Sequence, residues 1–379
     1  MVVGGKRNII FIALAFFLIF FGFGTAQQYF VILFKAQGKG VFALASLFTL
    51  YAAFMISGIV AAKIIPFLGG LKKSLILASL AYALFTASIA SSNVPLILLA
   101  SVLIGFAAGI LWVSSGQIIA DSSDKASLGR NLAYQVIGQY SGNILGIILG
   151  SYFILALPMQ AAYAIFTAFV LAGSFLLLWI KPIKEELKPR PFRPSYIFEK
   201  RMPLVFPLIF GANFLQGQVF TALNLIVVSL LGIGSVAAVI TVVKVANIIG
   251  SFSNGSLSAR YNKPKLLIIL VTIGLLGVGL LLAARGFMPV IASALLLGFS
   301  MAAIYPVCLA WLHEKISAYD YIYALGVFQI YSSLGIVGAI LSNMLLGSNA
   351  SFIPGIIALA VAIPCLMVYD RRLPDTAAD

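Results

Sequence analysis

A chain of 379 residues that is 62% hydrophobic and only 9% charged, with a mean hydropathy of +1.11, carries more apolar surface than a soluble fold of that length can bury. Spans of about 20 residues fit a bilayer instead. The formal charge of +14 does not point to nucleic acid, because the basic residues are scattered between apolar segments and not gathered on one face. Cys308 and Cys365 fall inside apolar segments and His313 is the single histidine, which argues against a disulfide framework or a zinc site.

Apolar runs and their Gly, Pro and Asn punctuation predict twelve helices. In chain order they are Asn8–Phe34, Val41–Ile65, Ser74–Ala90, Leu96–Ala120, Asn131–Leu157, Ala161–Ile180, Leu204–Leu230, Val236–Leu257, Leu266–Ala284, Met288–Leu312, Tyr321–Leu346 and Phe352–Tyr369. The first run is longer than a signal-peptide core and no small-residue cleavage pattern follows it, so it reads as a span. Between the sixth and seventh spans, Lys181 to Pro203 holds basic residues together with Pro182, Pro189, Pro191, Pro194 and Pro203, which deny it a continuous helix. The expected division is a six-helix bundle over 1–180, a basic Pro-rich linker over 181–203 and a second six-helix bundle over 204–379. Of the 24 Lys and Arg residues, only Lys35, Lys39 and Arg285 fall on the side opposite that linker, and Lys244 alone lies deep in a span. Both termini and the linker are therefore expected to be cytoplasmic.

The halves echo one another. Phe21-Gly22 and Gln27 recur as Phe210-Gly211 and Gln216, Ala100-Ser101 and Gly105-Phe106 as Ala292-Ser293 and Gly298-Phe299, and Tyr140-Ser141 as Tyr331-Ser332. Matches in order at an offset of about 190 residues indicate a parallel repeat. On the fifth span Gly138, Gly142, Gly146 and Gly150 recur every fourth residue, a close-packing face.

With its two sets of six spans, its basic linker and a Gly-rich basic loop after the second span, the chain resembles the major facilitator superfamily. That loop reads Gly58, Lys63, then Leu68-Gly69-Gly70-Leu71-Lys72-Lys73, with Ala62 near the place where the family carries an acid. The resemblance implies a gate at Lys72 and Lys73, whose expected contacts are helix-end carbonyls, acidic lipid or Asp121 and Asp124. The strings Phe21-Gly22-Phe23-Gly24-Thr25-Ala26-Gln27-Gln28 and Gly109-Ile110-Leu111-Trp112-Val113-Ser114-Ser115-Gly116-Gln117 look like the Unc branch of the superfamily. Some animal members of that branch are regulatory or trafficking partners.

A charged side chain deep in a span is expensive and is a functional candidate by default. Lys244 is such a residue, while all ten acidic residues lie in loops, at segment ends or in the tail. Lys244, Asn247, Ser251, Asn254 and Ser258 follow one another at steps of three and four, which places them on one helical face. Amides cluster elsewhere: Gln27 and Gln28 in the first span, Gln135, Gln139 and Asn143 in the fifth, Asn213, Gln216 and Gln218 in the seventh. The resemblance implies that spans one, four, seven and ten line a cavity, and so singles out Gln28, Gln216, Trp112 and Tyr305. Trp112, Tyr140, Tyr305 and Tyr331 can stack on an organic solute, and each can equally be a packing unit.

No Ser/His/Asp or Cys/His set and no phosphate-binding loop is present in the sequence, which argues against an enzyme and against ATP-driven transport, and no cofactor is expected. The fold class expected is an all-α polytopic membrane protein of twelve transmembrane helices in two pseudo-symmetric six-helix bundles. The function expected is a secondary active or facilitative transporter in the plasma membrane, a monomer in the lipid bilayer, with no nucleic-acid partner. It would move a small organic solute, anionic or amphipathic, by alternating access around a midplane site. The contact set is Lys244, Asn247, Gln27, Gln28, Asn213, Gln216, Trp112, Gln139, Tyr305 and Tyr331. Lys244 either stays protonated and binds an anion or exchanges a proton for substrate. The alternative is a non-transporting, Unc-like regulatory or trafficking partner.

Overall fold

The computed structural model describes residues 5–181, 202–232, 235–316 and 320–372. Residues 182–201 of the expected linker lie outside this set. The helices are α1 (Gly5–Ala36), α2 (Gly40–Phe67), α3 (Leu71–Ala90), α4 (Val94–Asp121), α5 (Leu128–Ala156), α6 (Met159–Leu176), α7 (Met202–Phe220), α8 (Ala222–Leu231), α9 (Val236–Leu257), α10 (Lys263–Leu282), α11 (Phe287–Lys315), α12 (Tyr321–Ala350) and α13 (Ile353–Arg372). Among the described residues ten helices are long and apolar enough to cross a membrane, eleven when bent α2 counts as one span. The shorter apolar stretch Ile353–Val368 of α13 supplies the twelfth.

Two departures from uniform helices have local causes. The seventh span is split between α7 and α8 at Thr221, whose φ of −113° and ψ of −80° leave the helical region. Its hydroxyl donates to the Gly217 carbonyl at 3.1 Å, a side-chain bond that competes with helix propagation. The loop before α3 turns on Gly69 (φ +88°) and Gly70 (φ +99°), where residues with a Cβ are strained, which explains the Gly-Gly pair.

The chain divides into two compact units, one of Met1–Ser123 with Tyr134–Phe192, the other of Asp124–Ala133 with Arg193–Asp379. In the first, α1 packs on α6, α2 on α4, and α3 on both α4 and α6; in the second, α7 packs on α13, α9 on α11, and α10 on both α11 and α13. The same pairings thus recur in the same order.

Glycine contacts fix the register of the repeat. Gly105 of α4 lies against the carbonyl of Leu50 and Cβ of Ala53, and Gly298 of α11 against the carbonyl of Val243 and Cβ of Ala246. Likewise Gly142 of α5 meets the Phe17 carbonyl and the Phe21 nitrogen, as Gly335 of α12 meets the Phe210 carbonyl and the Phe214 nitrogen. Every one of these pairs is separated by 193 positions, from Gly105 to Gly298 and from Phe17 to Phe210. Of the sequence matches noted above, only Gly105-Phe106 with Gly298-Phe299 keeps this spacing. Gln27 and Gln216 are not equivalent: they are displaced by four residues, about one helical turn. The glycines of α5 do form a packing seam, with Gly138, Gly142 and Gly146 against backbone of α1 and Gly150 against Thr25.

Candidate functional site

In the second unit the polar face of α9 turns inward. Lys244 is 4% exposed, and Asn247, Ser251, Asn254 and Ser258 are buried with it, while Val245, Ile249 and Phe252 on the other face are 42%, 52% and 44% exposed. Apolar residues outward and polar residues inward is the pattern of a helix with lipid on one side. An insertion cost of about 3 kcal/mol for lysine at a span centre has to be offset by what surrounds Lys244. The polar residues nearer the helix end look after themselves: Asn254 donates to the Gly250 carbonyl at 2.9 Å and Ser258 to the Gly255 carbonyl at 2.7 Å. Nearer to Lys244, Asn247 Oδ1 and Ser251 Oγ are buried with no hydrogen-bond partner among the described residues. Such atoms cost free energy unless water or a ligand satisfies them.

Other candidates in this unit serve the helix packing. Asn213 donates to the Ile209 carbonyl at 2.9 Å and accepts Ser332 Oγ of α12 at 2.7 Å, so its amide joins α7 to α12. Gln218 donates to the Ser351 carbonyl at 2.8 Å and accepts from the hydroxyls of Ser351 and Thr221, which ties the break between α7 and α8 to the start of α13. Tyr305 meets Phe328 edge to face at 5.4 Å and Tyr331 meets Phe206 at 4.9 Å. Gln216 is half-buried on α7.

In the first unit Gln27 donates to the Tyr51 hydroxyl of α2 at 3.2 Å. Trp112 is half-buried, edge-on to Phe16 at 5.2 Å, close to Phe20 at 6.1 Å and hydrogen-bonded to Tyr82. Gln139 is half-buried one turn beyond Gln135, which donates to Ser115 Oγ at 2.9 Å. The side chain of Gln28 lies outside the described residues. Lys72 donates to the Leu178 carbonyl at 2.7 Å, so of the partners expected for it the helix-end carbonyl is the one found; Lys73 folds back over Gly69.

The sequence did not single out three polar side chains: Tyr51 and Tyr82, and Gln329 of α12, which is 3% exposed with Nε2 unpartnered among the described residues. Tyrosines in apolar spans read as packing, and their hydrogen bonds to Gln27 and Trp112 join different helices. For Gln329 a signal existed, since it is an amide inside an apolar span.

A family model described as Major Facilitator Superfamily matches residues 12–290. Over 172 residues the chain is 28% identical to UNC93-like protein 3 of Arabidopsis thaliana, a stretch that is 45% of this chain and 32% of that protein. The chain thus covers about a third of that relative's length. Among solved structures, that of the E. coli fucose:proton symporter FucP superposes with a TM-score of 0.75 at 18% identity, over 96% of this chain and 99% of that one. The human organic anion transporter TETRAN gives a TM-score of 0.77 at 15% identity with the same coverage. Likeness at these identities shows the fold.

Proposed function

The chain belongs to the major facilitator superfamily, and on that premise we propose that it is a secondary active or facilitative carrier of a small organic solute, anionic or amphipathic, working by alternating access. The carrying observation is the α9 face: a buried lysine followed by Asn247 Oδ1 and Ser251 Oγ, two buried acceptors without a hydrogen-bond partner among the described residues. A substrate carboxylate or phosphate near the ammonium, with donor groups of the same molecule on Asn247 Oδ1 and Ser251 Oγ, supplies the hydrogen bonds these two oxygens lack. We place the protein in the plasma membrane as a monomer, in two bundles over 1–180 and 204–379, with both termini cytoplasmic; the loop distribution of Lys and Arg supports that orientation.

Counterflow of radiolabelled organic anions in proteoliposomes tests the proposal. Saturable exchange by the purified chain, abolished in Lys244→Ala, is the expected result. A folded protein that exchanges none of a panel of organic anions, cations and neutral solutes overturns it. The partial likeness to UNC93-like protein 3 favours a second reading, a regulatory or trafficking partner of another membrane protein. That reading requires no exchange and a stable complex with the partner.

A further inference from the structure

Away from the Lys244 face, an open pocket of about 670 Å³ is lined by Asp124, Ala126, Ser127, Arg130, Ser253, Ser256, Leu257, Ala259 and Arg260. All nine residues belong to the second compact unit. Its walls are the start of α5 and the end of α9, brought together where Gly129 and Gly255 pack backbone to backbone. Arg130 and Arg260 are exposed, and among the described residues neither is committed to an ion pair. Asp124 shares the pocket, but its carboxylate accepts the Ser127 backbone N–H at 2.7 Å. The Ser127 hydroxyl is taken up by Asp124 and Asn131, so the pocket keeps two guanidiniums and the hydroxyls of Ser253 and Ser256 for a ligand.

The pocket lies where the span ends. Ile249, Ser253, Ser256 and Arg260 follow at steps of four, three and four, so one face of α9 and its closing turn runs from exposed hydrocarbon through hydroxyls to a guanidinium. Phe252 and Leu257, 44% and 38% exposed, flank that face. This is the order of groups in a membrane amphiphile, acyl chain first and headgroup last. It lies on the side carrying most of the loop Lys and Arg, where anionic lipid collects.

We propose that this pocket docks an anionic phospholipid, with the phosphodiester between Arg130 and Arg260 and an acyl chain along the Ile249 face. Arginine suits the task because its fork of N–H donors matches phosphate oxygens two at a time. Continuity with the lipid-exposed face selects a lipid over a free anion.

Native mass spectrometry of the purified full chain, with equimolar phosphatidylglycerol, phosphatidylethanolamine and phosphatidylcholine, tests this. Phosphatidylglycerol adducts are expected to exceed phosphatidylcholine adducts by about 25-fold, given on the order of fivefold per arginine near a lipid surface. R130Q/R260Q should bring the ratio close to one, while R285Q, on the opposite side of the membrane, should leave it unchanged. If the double variant does not fold, R260Q alone, an exposed residue in a turn, should lower the ratio about fivefold. No preference in the wild-type protein, or an undiminished one in these variants, overturns the proposal. A preference for phosphatidylethanolamine over phosphatidylglycerol assigns Asp124 to an ammonium and overturns the anionic reading. Displacement of phosphatidylglycerol by equimolar glycerol phosphate makes this a free-anion site and overturns the lipid assignment.

Discussion

Tyr51 and Lys244 occupy the same place in the two repeats: each directly follows the residue, Leu50 or Val243, whose carbonyl receives the helix-contact glycine of α4 or α11. The backbone framework around them is alike and the side chains are not. Tyr51 is half-buried and accepts a hydrogen bond from Gln27 of α1, so the first unit fills this position with a neutral pair. In the second unit the position holds an ammonium, followed by Asn247 and Ser251 where the repeat has Phe54 and Gly58. Trp112 and Tyr305 also share a position, and there both repeats keep an aromatic residue. The helix contacts of the two repeats are alike, while the face of α9 that carries Lys244 is polar where its counterpart in the first unit is not.

The largest effect separates these two positions functionally. Lys244→Ala is expected to reduce solute exchange by about a hundredfold or more, and Lys244→Arg to recover part of it, since Arg restores charge without the compact ammonium. Tyr51→Phe, which removes only the hydroxyl, should change exchange by about threefold at most. Melting temperatures of the same purified variants decide the meaning: a collapse in Lys244→Ala with exchange lost in proportion would make the lysine structural. Equal losses at both positions would sink the asymmetry itself.

Next come the glycines that define the register. A Cβ at Gly105 would collide with the Leu50 carbonyl and one at Gly298 with the Val243 carbonyl, and neither contact is a flexible side-chain end. Gly105→Ala and Gly298→Ala should each cost about 1–3 kcal/mol, read by thermal unfolding in detergent. Similar costs are the point; a silent Gly298→Ala beside a damaging Gly105→Ala would show that the two contacts are not equivalent.

How much of this was legible in the sequence depends on the periodicity involved. The inward polar face of α9 could be read because steps of three and four identify one face without any partner, and the Val236–Leu257 span matches the helix bounds. The glycine seam of α5 could be read for the same reason. The register of the repeat could not be fixed, because Phe, Gly, Ala and Ser are common in every span and a match displaced by a turn looks as good as a true one. Asn213 and Gln218 looked like ligand groups because a span shows its amides but not the carbonyls and hydroxyls that occupy them. The break at Thr221 was hidden too, since threonine is ordinary in a membrane helix until its hydroxyl takes the carbonyl of the preceding turn.

The basic residues that open α3 and α10 give a smaller contrast. Lys263, 9% exposed in its side chain, pairs with Glu314 of α11 at 2.7 Å, whereas among the described residues Lys72 donates to the Leu178 carbonyl in an exposed setting. Lys263→Ala should cost about 1–2 kcal/mol, because a largely desolvated pair loses one partner. Lys72→Ala should cost a few tenths, about what an exposed contact is worth. The reverse order of melting temperatures would mean that the first-unit loop, despite lacking the family's acid, is the tighter of the two.

The smallest expected effect concerns how α5 and α12 begin, at Leu128 and Tyr321, again 193 positions apart. Ahead of α5, Asp124 accepts the Ser127 backbone N–H at 2.7 Å, while Asp320 at the start of α12 makes no side-chain cap hydrogen bond. The Ser127 hydroxyl and backbone N–H hold the Asp124 carboxyl below the ordinary carboxylate value of 3.8. A carboxylate whose folded pKa is lowered contributes stability that is fully present above the unfolded value and is lost as pH falls through the folded one. Asp124 is exposed, so the contribution is a few tenths of a kcal/mol at most. Hydrogen exchange over residues 125–131 should therefore be faster in Asp124→Asn than in wild type near pH 7, with the gap closing as the pH is taken down through and below the ordinary carboxylate range. A gap that persists below that range would show that the carboxylate's charge plays no part in capping α5, and that the two helix starts differ only in geometry.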